Sequence, residues 1–220
     1  MTIAREGWPV IAAAAGVFGV VGLVGAFAGY PIAFVPLLVA VGFCLWFFRD
    51  PERVVPPDER LVVAPADGKI VAVVEEREDR FLHAPATRIS IFMSPLDVHV
   101  NRNPVSGVVE QVQHTEGKFR AAFKDKASLD NERNAVVLRA DDGRRYLMVQ
   151  IAGALARRIV CHVAPGDRVR RGERFGMIMF GSRVDLYLPA GVRPRVRNGD
   201  RVHAGSSVLA EVAAGAERAA

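Results

Sequence analysis

The chain has 220 residues, half of them hydrophobic, with two cysteines and a formal net charge of +5. Two cysteines exclude a disulfide framework and a cysteine-rich zinc module, so a reduced, cytosol-facing protein is the default. The length suits one modest domain plus an extra segment, and the positive balance favours an anionic partner, either nucleic acid or an anionic membrane surface.

The extra segment comes first. No charged residue stands between Trp8 and Phe48, and Tyr30-Pro31 divides this run in two. The pattern predicts a membrane anchor over residues 1–50, made of two apolar helices at about 8–28 and 32–48. A bilayer core takes roughly 17 to 25 apolar residues per helix, which the first segment meets comfortably and the second barely. Trp8, Tyr30 and Trp46 stand near the segment ends, where amphipathic rings prefer the interface. Arg5 precedes the pair and Arg49 and Arg53 follow it, so both ends are expected in the cytoplasm, with the turn outside. A signal peptide would be shorter and would not be followed at once by a second apolar run. A re-entrant or interfacial hairpin is the alternative to a spanning one. Either way the protein is expected at the inner cell membrane, with its basic remainder on the cytoplasmic lipid surface.

A charged, proline-rich linker follows over residues 51–60. From residue 61 to 220 the pattern changes to short runs rich in Val and Ile, such as KIVAVVEE, RISIFM, NAVVLRA, RYLMVQIAG and VDLYLP. Turn signals such as PADG, SPLD, DDGR, APGD and RNGD separate them. The fold class predicted is mainly β, a small sandwich or barrel. The stretch GKFRAAFKDKASLDNERN breaks the rule and reads as a charged loop with a short helical turn. An internal repeat, V-x-x-G-D-x-V-x-x-G, begins at Val163 and again at Val196, 33 residues later. Each Gly-Asp supplies a turn and each following Val starts a strand. The pattern resembles the barrel-sandwich folds of lipoyl and biotin carriers, and DGKIVAVV from Asp67 loosely echoes it. The last residues, AAGAERAA, read as a frayed end.

Candidate chemistry is sparse. Asp67 lies in the PADG turn, and His99 lies among valines in SPLDVHVNRNP, on the strand face opposite Val98 and Val100. His83, His114, His162 and His203 show no metal-ligand spacing, so no metal is expected. No nucleophile elbow, phosphate loop or dinucleotide fingerprint is present. One oddity remains: Gly181-Ser182 stands at the mouth of an apolar strand, Val184 to Leu188, where glycine is a poor strand residue unless the backbone must be approached.

Taken together, FGSRVDLYLP, GERFGMIMFGS, PADG, FMSPLDVHVNRNPV and GKFRAAFKDKASLDNERN resemble the short, membrane-anchored form of the phosphatidylserine decarboxylase family. The resemblance covers about residues 51–189, and the order of the motifs is more specific than any one of them. It implies a proenzyme that cuts itself between Gly181 and Ser182, giving a larger subunit of 1–181 and a smaller one of 182–220. Ser182 would become a pyruvoyl group, the only cofactor expected, which condenses with the amine of phosphatidylserine and accepts the electrons released with carbon dioxide. The family's Asp-His-Ser arrangement maps to Asp67, His99 and Ser182. Longer family members carry two histidines three residues apart. Here the second position is Arg102, which cannot act as a base and suits a contact to the substrate's carboxylate or phosphate. Arg88, Lys118 and Arg183 are the other candidates for the phosphate. The partners implied are phosphatidylserine in an anionic membrane and the two subunits of one precursor, and a homodimer is compatible with this.

Two rival readings come from the residues themselves. Lys126 in KDKAS echoes a lipoyl-lysine triplet, but it lies in the charged loop and not in a repeat hairpin. A non-enzymatic, membrane-anchored lipid-binding β domain would remain one uncut chain. Nucleic acid is not expected, because no basic patch interleaved with aromatics is present.

Overall fold

The computed structural model describes residues 2–117, 131–153, 158–179 and 182–213. Lys118, Lys126, Gly181, most of the charged loop and the last seven residues lie outside the described residues. The chain divides into two compact units, Met1–Glu52 and Arg53–Ala220.

The first unit is helical. A short strand β1 (Thr2–Ile3) leads to α1 (Gly7–Phe27), a 3-10 turn (Pro31–Phe34), α2 (Val35–Phe47) and β2 (Arg49–Asp50). β1 and β2 pair antiparallel, Thr2 opposite Asp50, and so tie the two ends of the unit together. The second apolar segment opens as a 3-10 turn, so its α-helix starts later than the hydrophobic pattern predicts. Pro31 and Pro36 account for this: proline lacks a backbone N–H and is accommodated in a first helical turn. Val17, Val24, Phe27, Leu38 and Val39 are exposed, and neither helix has a polar face. At 1.5 Å per residue, α1 is about 32 Å long, enough to cross a bilayer core of about 30 Å, whereas α2 is about 20 Å.

The second unit is mainly β, and every strand pair in it is antiparallel. Its strands are β3 (Leu61–Val63), β4 (Gly68–Glu78), β5 (Ala84–Met93), β6 (Val100–Arg102), β7 (Gly107–Thr115), β8 (Arg133–Ala140), β9 (Arg145–Ala152), β10 (Ile159–Cys161), β11 (Arg168–Val169), β12 (Arg174–Ile178), β13 (Ser182–Pro189), β14 (Val192–Pro194), β15 (Arg201–Val202) and β16 (Val208–Val212). One eight-stranded sheet runs β11-β7-β8-β9-β13-β5-β4-β15, and two three-stranded sheets run β10-β12-β6 and β14-β16-β3. The main core draws on all three sheets, with Ile89, Ile91, Met148, Val184, Leu186, Phe175 and Leu209 among its buried members.

These strands obey an internal pseudo-two-fold, which extends the repeat seen in the sequence to the whole unit. Its axis passes between β9 and β13, where Met148 stands opposite Leu186. One half comprises β3–β5 with β13–β16, and the other comprises β6–β12. The backbone bonds match in pairs. Ile70 N–H donates to Asp200 O as Val109 N–H donates to Asp167 O, and Gly205 N–H donates to Ala64 O as Gly172 N–H donates to Asn103 O. The repeat glycines share left-handed angles: φ is 95° at Gly166 and 101° at Gly199, then 78° at Gly172 and 75° at Gly205. Both halves carry bulges at matching places, Ile70/Ala72 and Val109/Gln111.

The halves differ in one connection. β8 and β9 are joined by the tight turn Asp141-Asp142-Gly143, with Ala140 N–H donating to Arg144 O. The matching strands β5 and β13 pair in the same register, with Met93 opposite Ser182, but no turn joins them. The chain instead leaves after Met93, builds the other half, and returns at Ser182. Ser182 thus occupies the position of Arg144, at the open end of a hairpin whose turn has been replaced by half a domain.

Gly107 shows how tight the strand crossings are. A Cβ there would lie 2.2 Å from the carbonyl oxygen of Arg139, so β7 could not keep its distance from β8. Gly107→Ala is expected to destabilise the domain by about 1–3 kcal/mol, a fall of roughly 3–10 °C in melting temperature. An unchanged melt of the full-length protein would contradict this packing.

Candidate active site

Ser182 stands at the open hairpin end. Ser182 is the first residue of β13 and is fully buried. Met93 flanks it on one side and Ala152 on the other. The neighbouring Ala152 is itself fixed, since Asn131 Nδ2 donates to its carbonyl at 2.6 Å. Strand alternation puts Ser182 on the same face as Val184 and Leu186, facing the core. Its Oγ has no hydrogen-bond partner among the described residues. An unsatisfied buried hydroxyl costs about 1–3 kcal/mol, so the fold alone does not explain a serine here.

After β5 the chain turns through Ser94-Pro95-Leu96-Asp97. The Asp97 carboxylate accepts from Ser94 N–H at 2.8 Å and from Ser94 Oγ at 2.7 Å, which closes the turn. His99 follows, fully buried, with Nδ1 2.9 Å from the carbonyl oxygen of Asp97. A carbonyl only accepts, so Nδ1 carries a proton, and when the ring is neutral its lone pair is on Nε2. That is the tautomer a general base requires.

Asp67 immediately precedes β4, whose first residue Gly68 pairs with Val202, and so stands one residue before the row that contains Met93 and Ser182. Its Oδ1 accepts from Ala204 N–H at 2.9 Å. Its Oδ2 accepts from Arg53 Nη2 at 2.7 Å and lies 3.1 Å from His203 Nδ1. The imidazole that the structure sets against Asp67 is therefore His203, a residue that sequence spacing passed over because it lies 136 positions away. The pseudo-two-fold separates two jobs in this carboxylate. Ser106 takes the place of Asp67 in the other half and its Oγ accepts from Arg171 N–H at 3.0 Å, as Asp67 Oδ1 accepts from Ala204. Capping the repeat turn needs only a hydroxyl. The second carboxylate oxygen, with Arg53 and His203, has no counterpart in that role.

Of the candidate phosphate ligands, Lys118 lies outside the described residues and the three arginines each hold a protein partner. Arg102 donates from Nη1 to Gly172 O at 2.9 Å and its side chain packs against Gly205, joining the two repeat turns. Arg183 and Asp185 form a buried two-point ion pair along β13, with Nε to Oδ1 and Nη2 to Oδ2 both 2.9 Å. Arg88 holds Glu76 at 2.8 Å and Ser90 Oγ at 2.7 Å. Arg88 and Arg183 both stand on the sheet face opposite Ser182, as does Tyr187, whose phenol burial pushes well above its ordinary range. Among the described residues no group of three His, Cys, Asp or Glu could hold a metal ion.

The family model described as phosphatidylserine decarboxylase matches residues 41–210. The chain belongs to the phosphatidylserine decarboxylase family. The phosphatidylserine decarboxylase proenzyme of Ralstonia pickettii (strain 12J) is 50% identical over 210 residues, covering 96% of this chain and 95% of that protein. Those of Nitrosomonas europaea and Burkholderia cenocepacia (strain HI2424) are 51% and 49% identical, over 95% and 96% of this chain and 94% and 96% of theirs. The family likeness thus reaches well beyond the motifs within residues 51–189 and takes in part of α2 and the second repeat.

The symmetry gives a way to divide the capping role of Asp67 from its other contacts in this family member. Asp67→Ser keeps an acceptor for Ala204 N–H, as Ser106 does for Arg171, whereas Asp67→Ala removes it. Thermal melts are expected to show the serine variant more stable than the alanine variant by about 1 kcal/mol, the net worth of one hydrogen bond. Equal melts would mean the cap contributes nothing.

Proposed function

We propose that this chain decarboxylates phosphatidylserine to phosphatidylethanolamine in phospholipid synthesis, using a pyruvoyl group made from its own Ser182 after it cuts the Gly181–Ser182 bond. The observation that carries this is the buried Ser182 hydroxyl, without a partner among the described residues, at an open hairpin end. The chain is also about half identical to proteins named as decarboxylase proenzymes. The residues present fit the group: the hydroxyl lost in forming it is one that no described contact of the fold uses.

Each residue then has a task. The Ser182 hydroxyl adds to the preceding carbonyl, which a glycine leaves open to approach. His99, with Nδ1 committed to Asp97 O, takes the hydroxyl proton on Nε2. Asp67, held by Arg53 and set against His203, supplies a negative charge at this end of the sheet. β13, hydrogen-bonded on both sides, keeps the new chain end from moving once the bond is cut. When formed, the pyruvoyl group supplies an electrophilic ketone and the electron sink needed for loss of carbon dioxide. The buried surroundings exclude water, and His99 returns a proton to the product. The cut yields subunits of 1–181 and 182–220.

The anchor follows from the substrate. We read α1 and α2 as a membrane hairpin with the β unit on the cytoplasmic side of the inner membrane, where a net charge of +5 favours anionic lipid. A serine-linked headgroup at the bilayer surface is then within reach without leaving the membrane.

Purified protein is expected to run as two chains on a denaturing gel, with mass spectrometry showing the smaller one lacking a free amino terminus. Ser182→Ala should stay one chain and release no carbon dioxide from phosphatidylserine vesicles. His99→Ala should slow cutting by about 100-fold or more, the usual worth of a general base. If Ser182→Ala is still cut, the proposal is wrong.

A further inference from the structure

Three buried amides form a directed chain beside Ser182. Asn134 on β8 donates from Nδ2 to Gln150 Oε1 at 2.9 Å. Gln150 on β9 donates from Nε2 to Asn101 Oδ1 at 2.9 Å. Asn101 on β6 points its own Nδ2 at Met93 Sδ, 3.8 Å away. All three residues are buried, Gln150 and Asn101 completely. Each link fixes the next. With its oxygen occupied by Gln150, Asn101 must turn its N–H donors towards Met93, which is the residue paired with Ser182. A thioether is a weak acceptor. The chain therefore ends in a strong donor set against a poor acceptor, next to a hydroxyl that has no partner among the described residues.

The pseudo-two-fold shows that the fold does not need these amides. The matching positions in the other half are Thr87 for Asn134, Leu188 for Gln150 and Val62 for Asn101. Leu188 and Val62 belong to the apolar core. Two of the three matching positions are thus packed with hydrocarbon, whereas the amides stand in the half that sends β9 alongside Ser182. The strand packing is also closer here: a Cβ on Gly176 would sit 2.2 Å from Val160 O and 3.1 Å from Gln150 Nε2, and the residue matching Gly176 is Ala210. Buried amides that stability does not require mark a functional constellation, since each is costly if left unpaired.

We propose that Asn101 donates the hydrogen bond to the carbonyl oxygen before Ser182 as it becomes negatively charged during self-cleavage, and that Gln150 and Asn134 hold Asn101 in that orientation. This rests on the self-cleavage proposed above. In the step, the Ser182 O–H bond breaks and its proton passes to histidine. Oγ bonds to the carbonyl carbon, and the carbonyl π pair moves onto oxygen, where Asn101 N–H meets it. When that pair returns, the C–N bond breaks, and the amine leaves with the proton given back by the imidazolium. A donor fixed in advance lowers this barrier without reorganisation. The role assigned to Asn101 is thus on the reacting oxygen itself, whereas Gln150 and Asn134 act through Asn101.

The test follows cutting of freshly synthesised full-length protein by gel, for wild type, Asn101→Leu, Asn101→Asp, Gln150→Leu and the Asn101→Leu/Gln150→Leu double variant, with Ser182→Ala as the uncut reference. Loss of one such donor is worth about 100- to 1,000-fold, so Asn101→Leu should be slowed by that factor. Asn101→Asp, which keeps the shape but not the donor, should be slowed as much. Hydroxylamine, which cuts an ester already formed, should not speed either variant. Because Gln150 acts only through Asn101, the double variant should be no slower than Asn101→Leu, whereas independent structural losses would multiply. Melting curves identify any variant that fails to fold, and Asn101→Asp and Gln150→Leu then carry the comparison. Wild-type cutting in Asn101→Asp, rescue by hydroxylamine, or multiplied losses in the double variant would each overturn the proposal. Cutting of Ser182→Ala would instead overturn self-cleavage itself, so the two failures are distinguishable.

Discussion

The register of β13 between β5 and β9 is the constraint on which the site depends. Six consecutive residues of this strand pair on both sides, from Ser182 to Tyr187. That double pairing places Ser182 beside Met93 and Ala152 and turns its side chain towards the core. A slip of one residue would turn Ser182 to the opposite face and bring Arg183 inwards. The buried Arg183–Asp185 pair opposes such a slip, because one residue of displacement would carry both charges into the apolar core without their present surroundings. A chain cut next to Ser182 would keep all of these strand bonds, so the fold can survive the loss of one covalent link at this point.

The pseudo-two-fold supplies an internal control. Two halves with matching turns, bulges and hydrogen bonds need the same structural residues, so differences between them point to function. Asp67 against Ser106, Asn101 against Val62, Gln150 against Leu188 and Ser182 against Arg144 all fall around one end of the sheet. Asn103 adds to the contrast: it is fully buried with neither amide atom bonded among the described residues, and its counterpart is Ala64. Polar groups have been concentrated in one of two equivalent places. The other place, beside the intact hairpin turn, is a cavity lined by Val62, Val105 and Ala140 with Ser106, Glu59, Asp141 and Asp142.

Much of this was legible in the sequence. Alternating Val and Ile runs divided by Gly-Asp turns predict a β domain, because side-chain period and turn chemistry are local properties. The two V-x-x-G-D repeats report matching left-handed glycines, which only a repeated backbone would require. The apolar stretch before Arg49 stands out by the absence of charge alone. What was not legible are the partners. His203 meets Asp67 across 136 residues, and the amides of Asn101, Gln150 and Asn134 come from three separate strands. A lone polar residue inside an apolar strand, such as Gln150 in RYLMVQIAG, was the available signal, but it does not say which residue it will meet.

The sequence by itself determined the element types, the repeat and the family, since these rest on local patterns and on motifs kept in order. Tertiary structure alone decided that Ser182 lies at the open end of a hairpin. The chain inserts half a domain between β5 and β13, and only long-range strand pairing brings Met93 and Ser182 together. It also decided that Asp67 takes His203 as its imidazole partner and that three amides line up beside Ser182. Hydrogen bonds are directional and short, so these sets exist only once the sheets have fixed their strands to within an ångström.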